Sequence, residues 1–339
     1  MPETADILEN SILQASPELL STLLKDHTTS RGDAVCNIFW ATSDYELLGK
    51  GYGYHDPILP ELITGDNGRV IMPRVLKHKD TQSARVRDMA EVFTPAWVCN
   101  AQNNLIDEAW FGRKDVFNTE YTAEDGTHGW ETNPERISFP EGKTWKDYVR
   151  DTRLEITCGE APYIVNRYDT TTGAVIPLAD RIGLLDRKLR VVSENTETSG
   201  EWLEAAQEAF KSIYAYEWQG DSLLIARESM LASFVEYYRA KFGKAPLAKS
   251  VNYIAYIISW NVWQMDGLKG VVPDSCHDKV HTEMSLFGEN TKTVTPCEGC
   301  KTDNIYKHNG TYCLIKDWHA KDPQTGRKGK RIRYIDLLK

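Results

Sequence analysis

The strongest constraint on this chain is an alternation in its second half. Three short strand-like stretches (154–156, 213–217 and 262–265) each close on an acidic residue or a glycine. Between them, apolar spacing predicts helices over 201–211, 223–238 and 247–258. Strand-helix alternation of this kind predicts an α/β layered domain around a parallel sheet. In an open parallel sheet ligands sit beyond the carboxyl ends of the strands. Glu155 with Gly159, Glu217, and Asp266 are therefore expected to form one constellation.

The residue types suit a nucleoside. A glycine after a strand lets backbone approach a ligand closely, and an acid at the end of the next strand can accept hydrogen bonds from a ribose diol. In IYAYEWQGDSLLIARESML (213–231), strand, acid and helix follow in that order, and Trp218 beside Glu217 can lie along an adenine ring. The plainer reading is that Glu217 only tops a strand.

The first half reads differently. Apolar spacing over residues 5–25 predicts two helices separated by Ser16 and Pro17, a cap and first-turn pair. Strands are expected over 35–40 and 70–76, a helix over 95–108, and a polar, glycine-rich connection over 112–143. Three regions follow: a small α+β accessory region (1–84), the α/β domain (85–272) and a Cys-rich, basic C-terminal segment (273–339).

With 339 residues, 41% of them hydrophobic, the chain can bury one large core or two ordinary ones. The longest apolar run, 253–263, is too short to span a bilayer, and the first residues carry no basic, signal-like segment. An odd count of seven cysteines fits a reducing compartment, so a cytoplasmic protein without membrane partners is expected. A net charge of −9 argues against non-specific coating of nucleic acid. The tail nevertheless concentrates Lys321, Arg327, Lys328, Lys330, Arg331, Arg333 and Lys339, a local face able to meet DNA.

Cys297-Glu-Gly-Cys300 is a knuckle of the type that grips zinc. Cys276 and Cys313 complete a four-thiolate set, with His277, His281 and His308 as substitutes. The plainer reading is a loop of unligated thiols. The aromatic series Tyr237, Tyr238, Tyr253, Tyr256, Trp260 and Trp263 has helical spacing and is read as core rather than as a base-stacking platform.

The string LEITCGEAPYIV (154–165) resembles the first cofactor motif of the adenine-N6 DNA methyltransferases of restriction-modification systems, the M-type subunits. Upstream, RVRDMAEVFTPAWVCN is similar to the Val-Phe-Thr-Pro motif that precedes their cofactor domain; downstream, YAYEWQGDSLLIAR and NVWQMDGL resemble the second and third motifs. The resemblance covers roughly residues 85–270. It implies a class I S-adenosylmethionine-dependent methyltransferase fold, Rossmann-like. It also implies a cofactor site in which Phe93, Thr94 and Pro95 close over S-adenosylmethionine. Glu155, Thr157, Cys158, Gly159 and Ala161 would take its methionine part, Glu217 and Trp218 its ribose and adenine ring, and Asp266 the adenine amino group.

Two departures accompany the matches. Glu160 and Ala161 stand where the family loop is glycine-rich, placing bulk and negative charge near the cofactor's carboxylate. The catalytic Asn/Asp-Pro-Pro-Tyr/Phe motif, whose polar groups hold a flipped base while its aromatic ring stacks on it, does not occur in these 339 residues. Asn133-Pro134 is followed by Glu135-Arg136 and precedes the first motif, and RIRYIDLLK (331–339) looks like the lead-in to the family's fourth strand. The expected function is a DNA adenine-N6 methyltransferase-like subunit of a restriction-modification or phage modification system, working with a catalytic, specificity or restriction partner. The alternative is a non-catalytic cofactor-binding or decoy subunit that acts by assembly.

Overall fold

A computed structural model describes residues 5–7, 9–77, 94–284 and 290–338. Helices α1 (Glu9–Ala15) and α2 (Pro17–Leu24) lead it, the second starting on Pro17, whose missing N–H would have had no partner there. Ser16 holds the N-cap position without a side-chain bond. Strands β1 (Lys25–Arg31) and β2 (Ala34–Asn37) form an antiparallel hairpin turned at Gly32, which has φ +52°. The expected strand over 70–76 is absent. Pro73 removes a ladder donor there, and Arg74–Leu76 closes into a 3₁₀ turn.

Helix α3 (Ala96–Phe111) runs past its expected end to Gly112, a left-handed C-terminal stop. Its first amide donates to Asp169 Oδ2 at 2.8 Å, a cap supplied from a distant segment. The segment read as a polar connection contains a second hairpin, β3 (Asn118–Thr122) with β4 (His128–Thr132). Helix α4 (Trp145–Arg150) follows, fixed by a Thr144/Asp147 capping box.

A parallel sheet of order β5-β6-β7 lies at the centre, made of β5 (Arg153–Glu155), β6 (Ile213–Glu217) and β7 (Val262–Gln264). Parallel neighbours need long crossovers. Helices α5 (Leu184–Asn195) and α6 (Ser199–Lys211) make the first, and α7 (Gly220–Phe242) and α8 (Ala248–Asn261) the second. Thr198 and Glu201 form a capping box, so α6 starts two residues before the expected 201. Ile213, Ala215 and Val262 on the strands and Trp202, Phe210, Leu224, Phe234 and Ile258 on the helices are fully buried. Burying each such large side chain contributes roughly 1.5–3 kcal/mol, which favours this layering.

Two buried cations tie the layers together. Arg227 of α7 donates to Val262 O at 2.6 Å, to Lys25 O at 3.1 Å and to Leu23 O, linking the N-terminal hairpin to β7. Arg187 of α5 pairs with Asp107 of α3 at 2.5 Å, and Asp107 also accepts from Tyr148 Oη at 2.9 Å. The N-terminal region packs directly on the sheet. Gln264 exchanges two hydrogen bonds with Phe39 (3.0 and 2.9 Å), Gly220 N–H donates to Trp40 O at 3.0 Å, and a Cβ at Gly220 would lie 2.1 Å from Phe39 O.

Strands β8 (Lys279–Met284) and β9 (Asn290–Thr295) form a hairpin, followed by the short helix α9 (Glu298–Thr302). Strand β10 (Leu314–Lys321) pairs antiparallel with β11 (Lys328–Arg333). The 331–339 segment expected to lead into a fourth parallel strand is thus partly used in that hairpin, because the turn at 322–327 folds it back on β10. The chain is a mixed α/β protein with small sheets, and no helix among the described residues is long and apolar enough to cross a membrane.

Candidate functional site

An open cleft of about 990 Å³ lies at the carboxyl ends of β5 and β6. Thr94, Glu155, Thr157, Cys158, Gly159, Glu217 and Trp218, all expected from the sequence, line it. Phe93 falls outside the described residues. Pro95 is the N-cap residue of α3 and does not line the cleft.

The turn after β5 gives the cleft its floor. Thr157, Gly159 and Ala161 have φ of +46°, +53° and +60°. This left-handed region suits glycine and disfavours branched side chains, and such conformations persist where surrounding structure enforces them. Ala161 therefore keeps the backbone that glycine would adopt. Its methyl is fully buried in the core and does not reach the cleft, a correction to its expected cofactor contact. Glu160 also turns away. Its carboxylate accepts Arg74 N–H at 2.7 Å and Tyr168 Oη–H at 2.5 Å, so its charge is spent beneath the loop rather than in the cleft.

Glu217 closes the turn from β6. One carboxylate oxygen accepts Gly159 N–H at 2.8 Å; the other accepts Trp218 N–H at 2.8 Å and Gln219 N–H at 3.2 Å. A carboxylate offers about four acceptor positions, so roughly one remains for a ligand. Burial raises the Glu217 carboxyl above its ordinary range, against the pull of those N–H groups. Glu155 is only 9% exposed, and its Oε2 finds no hydrogen-bond partner among the described residues. Burial holds its carboxyl well above the usual range, the Tyr163 and Ile164 N–H groups oppose this, and the neighbouring Glu217 adds repulsion.

Tyr54, Tyr163, Gln102 and Asn103 complete the wall and were not picked out from the sequence. Tyr54 comes from the N-terminal region and accepts Trp218 Nε1–H at 3.0 Å, fixing the indole at the rim. Tyr163 lies inside the 154–165 string, whereas no motif marks Tyr54, Gln102 and Asn103; chain path alone brings those three here.

Asp266 is not in the cleft. Strand β7 ends at Gln264, and Asp266 Oδ1 accepts the N–H groups of Leu268 (3.0 Å) and Lys269 (3.2 Å), with Lys269 Nζ 3.3 Å from the carboxylate. An aspartate whose side chain accepts the N–H groups two and three residues on folds a local turn, and that use overrides the expected adenine contact.

Farther along the chain, Cys276, Cys297, Cys300 and His308 bring their ligand atoms within 4.8 Å of one another, a group that can hold a metal ion. Cys313, expected as the fourth ligand, lies instead in an apolar cluster with Met265, Ile315 and Tyr334, its Sγ donating to Gln264 O at 3.4 Å. Pairing of Val271 with Tyr312 next to it fixes this inward orientation, and His308 takes the place.

A second groove, about 720 Å³, collects Arg150, Lys211, Lys316 and Lys328 around Tyr253, Tyr256 and Trp318, with Glu208 as counter-charge. Lys316 Nζ donates to Tyr256 Oη at 2.6 Å and lies 4.9 Å from the Trp318 ring centre. Tyr237, Tyr238, Trp260 and Trp263 are buried as expected of core, whereas Tyr253 is 38% exposed and stacks on Tyr256 at this groove.

Compared with protein-family models, curated proteins and solved structures, the chain gives no match.

Proposed function

We propose that this chain is an S-adenosylmethionine-binding subunit of the DNA adenine-N6 methyltransferase type, with a class I, Rossmann-like arrangement around β5-β6-β7, serving a restriction-modification or phage modification system. The observation that carries the reading is the joining of Gly159, Glu217 and Glu155, whose Oε2 has no hydrogen-bond partner among the described residues, on one cleft beyond the carboxyl ends of parallel strands. The cleft's volume lies within the range of small-molecule sites. Two neighbouring buried carboxyls also favour a ligand that brings positive charge, as the ammonium and sulfonium of this cofactor do.

In this reading the left-handed turn at 157–161 takes the methionine part, with Glu155 Oε2 accepting from its ammonium. Glu217 offers its remaining acceptor to the ribose, and Trp218 provides a flat face for the adenine. Thr94 borders the opening. When bound, the cofactor supplies an electrophilic methyl group. The groove bearing Arg150, Lys211, Lys316 and Lys328 supplies positive charge for a DNA backbone.

One specific observation favours a second reading, a non-catalytic cofactor-binding or assembly subunit. The Asn-Pro-Pro-Tyr type of motif that would hold a flipped adenine is not among the 339 residues. Calorimetric titration with S-adenosylmethionine, followed by transfer of a labelled methyl group to unmethylated DNA, separates the outcomes. Binding with transfer supports the enzyme, binding without transfer supports a cofactor-binding subunit that does not carry the chemistry by itself, and no binding removes the first reading and leaves of the second only assembly without cofactor.

A further inference from the structure

We propose that Cys276, Cys297, Cys300 and His308 form a closed, tetrahedral zinc site that organises the C-terminal segment, independently of whatever the cleft binds. Zinc bonds to thiolate at about 2.3 Å and to imidazole nitrogen at about 2.0–2.1 Å, so a tetrahedral site places sulfurs about 3.8 Å apart and sulfur and nitrogen about 3.5 Å apart. Cys276 Sγ lies 3.4 Å from Cys297 Sγ and 3.7 Å from Cys300 Sγ. His308 Nδ1 lies 3.6, 3.8 and 3.6 Å from the sulfurs of Cys276, Cys297 and Cys300. Five of the six separations thus match one tetrahedron of soft or borderline ligands, and the sixth, between the Cys297 and Cys300 sulfurs, lies within 4.8 Å. The sulfur separations are far beyond the roughly 2.05 Å of a disulfide, which excludes that alternative use of the thiols.

The surrounding backbone is shaped to this arrangement. A Cβ at Gly299 would lie 2.6 Å from both the N and the Nδ1 of His308, so the residue just before the second knuckle cysteine must be glycine for the imidazole to reach its corner. A Cβ at Gly310 would meet Ser275 Oγ at 2.8 Å, Val271 Cγ2 at 3.0 Å and the Cys276 Cβ at 3.1 Å, a tight fit beside the first ligand. Asn309 N–H donates to Cys297 Sγ at 3.3 Å, and Asp278 Oδ1 accepts Cys297 N–H at 2.9 Å. Such outer contacts orient ligands and favour thiolate character. With all four corners filled by protein, no position is left for water or substrate, which makes the site structural rather than catalytic.

The test uses the full chain, purified without added metal and analysed by inductively coupled plasma mass spectrometry. About one zinc per chain is expected, falling to near none in Cys300→Ser and His308→Ala but remaining in Cys313→Ser and in the rescue variant His308→Cys. Because ligand variants can unfold, the wild-type apoprotein is also titrated with cobalt(II). Tetrahedral visible bands with thiolate charge transfer support the proposal. An octahedral spectrum, no uptake of either metal, or zinc lost in Cys313→Ser but kept in His308→Ala overturns it.

Discussion

Gly159 donates its backbone N–H to the Glu217 carboxylate across 2.8 Å, joining the turn after β5 to the end of β6. Replacing Glu217 by Gln exchanges one of the two accepting oxygens for a donor, leaving at least one of three backbone N–H groups unsatisfied. The expected cost is roughly 1–3 kcal/mol of stability, read by urea unfolding. Affinity for S-adenosylmethionine should fall at least about tenfold by calorimetry. Unchanged affinity in a folded variant removes the ribose role.

The Arg187–Asp107 pair fixes α3, and so one wall of the cleft, to α5. Asp107→Ala strands a buried guanidinium and removes the acceptor for Tyr148 Oη. Destabilisation of about 3–5 kcal/mol is expected from denaturant midpoints. A loss below about 1 kcal/mol, the scale of an exposed pair, contradicts the buried geometry.

Glu9 and Glu228 place two acids in the same apolar surroundings, 1% and 3% exposed. Burial pushes the Glu9 carboxyl up to about 8, and burial with repulsion from Glu9 holds Glu228 well above the usual range. In the unfolded chain Glu9 titrates near 4.5. Between those values the folded state binds more protons at Glu9 than the unfolded one, so the contribution of this pair to stability is full below pH 4.5 and declines as pH rises towards 8. The melting temperature of wild type should therefore fall more between pH 5 and pH 8 than that of Glu9→Gln. An equal pH response in the two proteins contradicts the assignment.

Lys328 at the second groove is exposed. If DNA lies there, Lys328→Ala should weaken binding equally for all sequences and lower the salt slope of log K by about 0.9, one phosphate contact. Fluorescence anisotropy over a salt series measures this. An unchanged slope places DNA elsewhere.

How much of this was legible depends on what each residue answers to. Strand β6 and the turn after β5 follow from local chemistry, apolar residues feeding an acid and a glycine, and the structure sets them side by side. Helix α5 escaped notice because Asp186, Arg187 and Lys188 lie in its buried stretch and break the apolar period. Their partners, Asn166 N–H, Asp107 and the Val149 carbonyl, are 20 to 80 residues away. Cys313 and His308 show the same limit. Ligand types can be read from sequence, but which of two nearby candidates converges is decided by strand pairing at Tyr312.

The contact at Gly220 has a wider consequence. With Phe39 O where a Cβ would otherwise sit, and Gln264 gripping the same residue from β7, the N-terminal segment and the sheet are cut to one another's shape. A lineage could not exchange this leading segment as a cassette, because a donor with a different path at 38–40 would meet the helix backbone itself. Changes on either side of that seam would have to be accepted together, so the two parts should diversify in step.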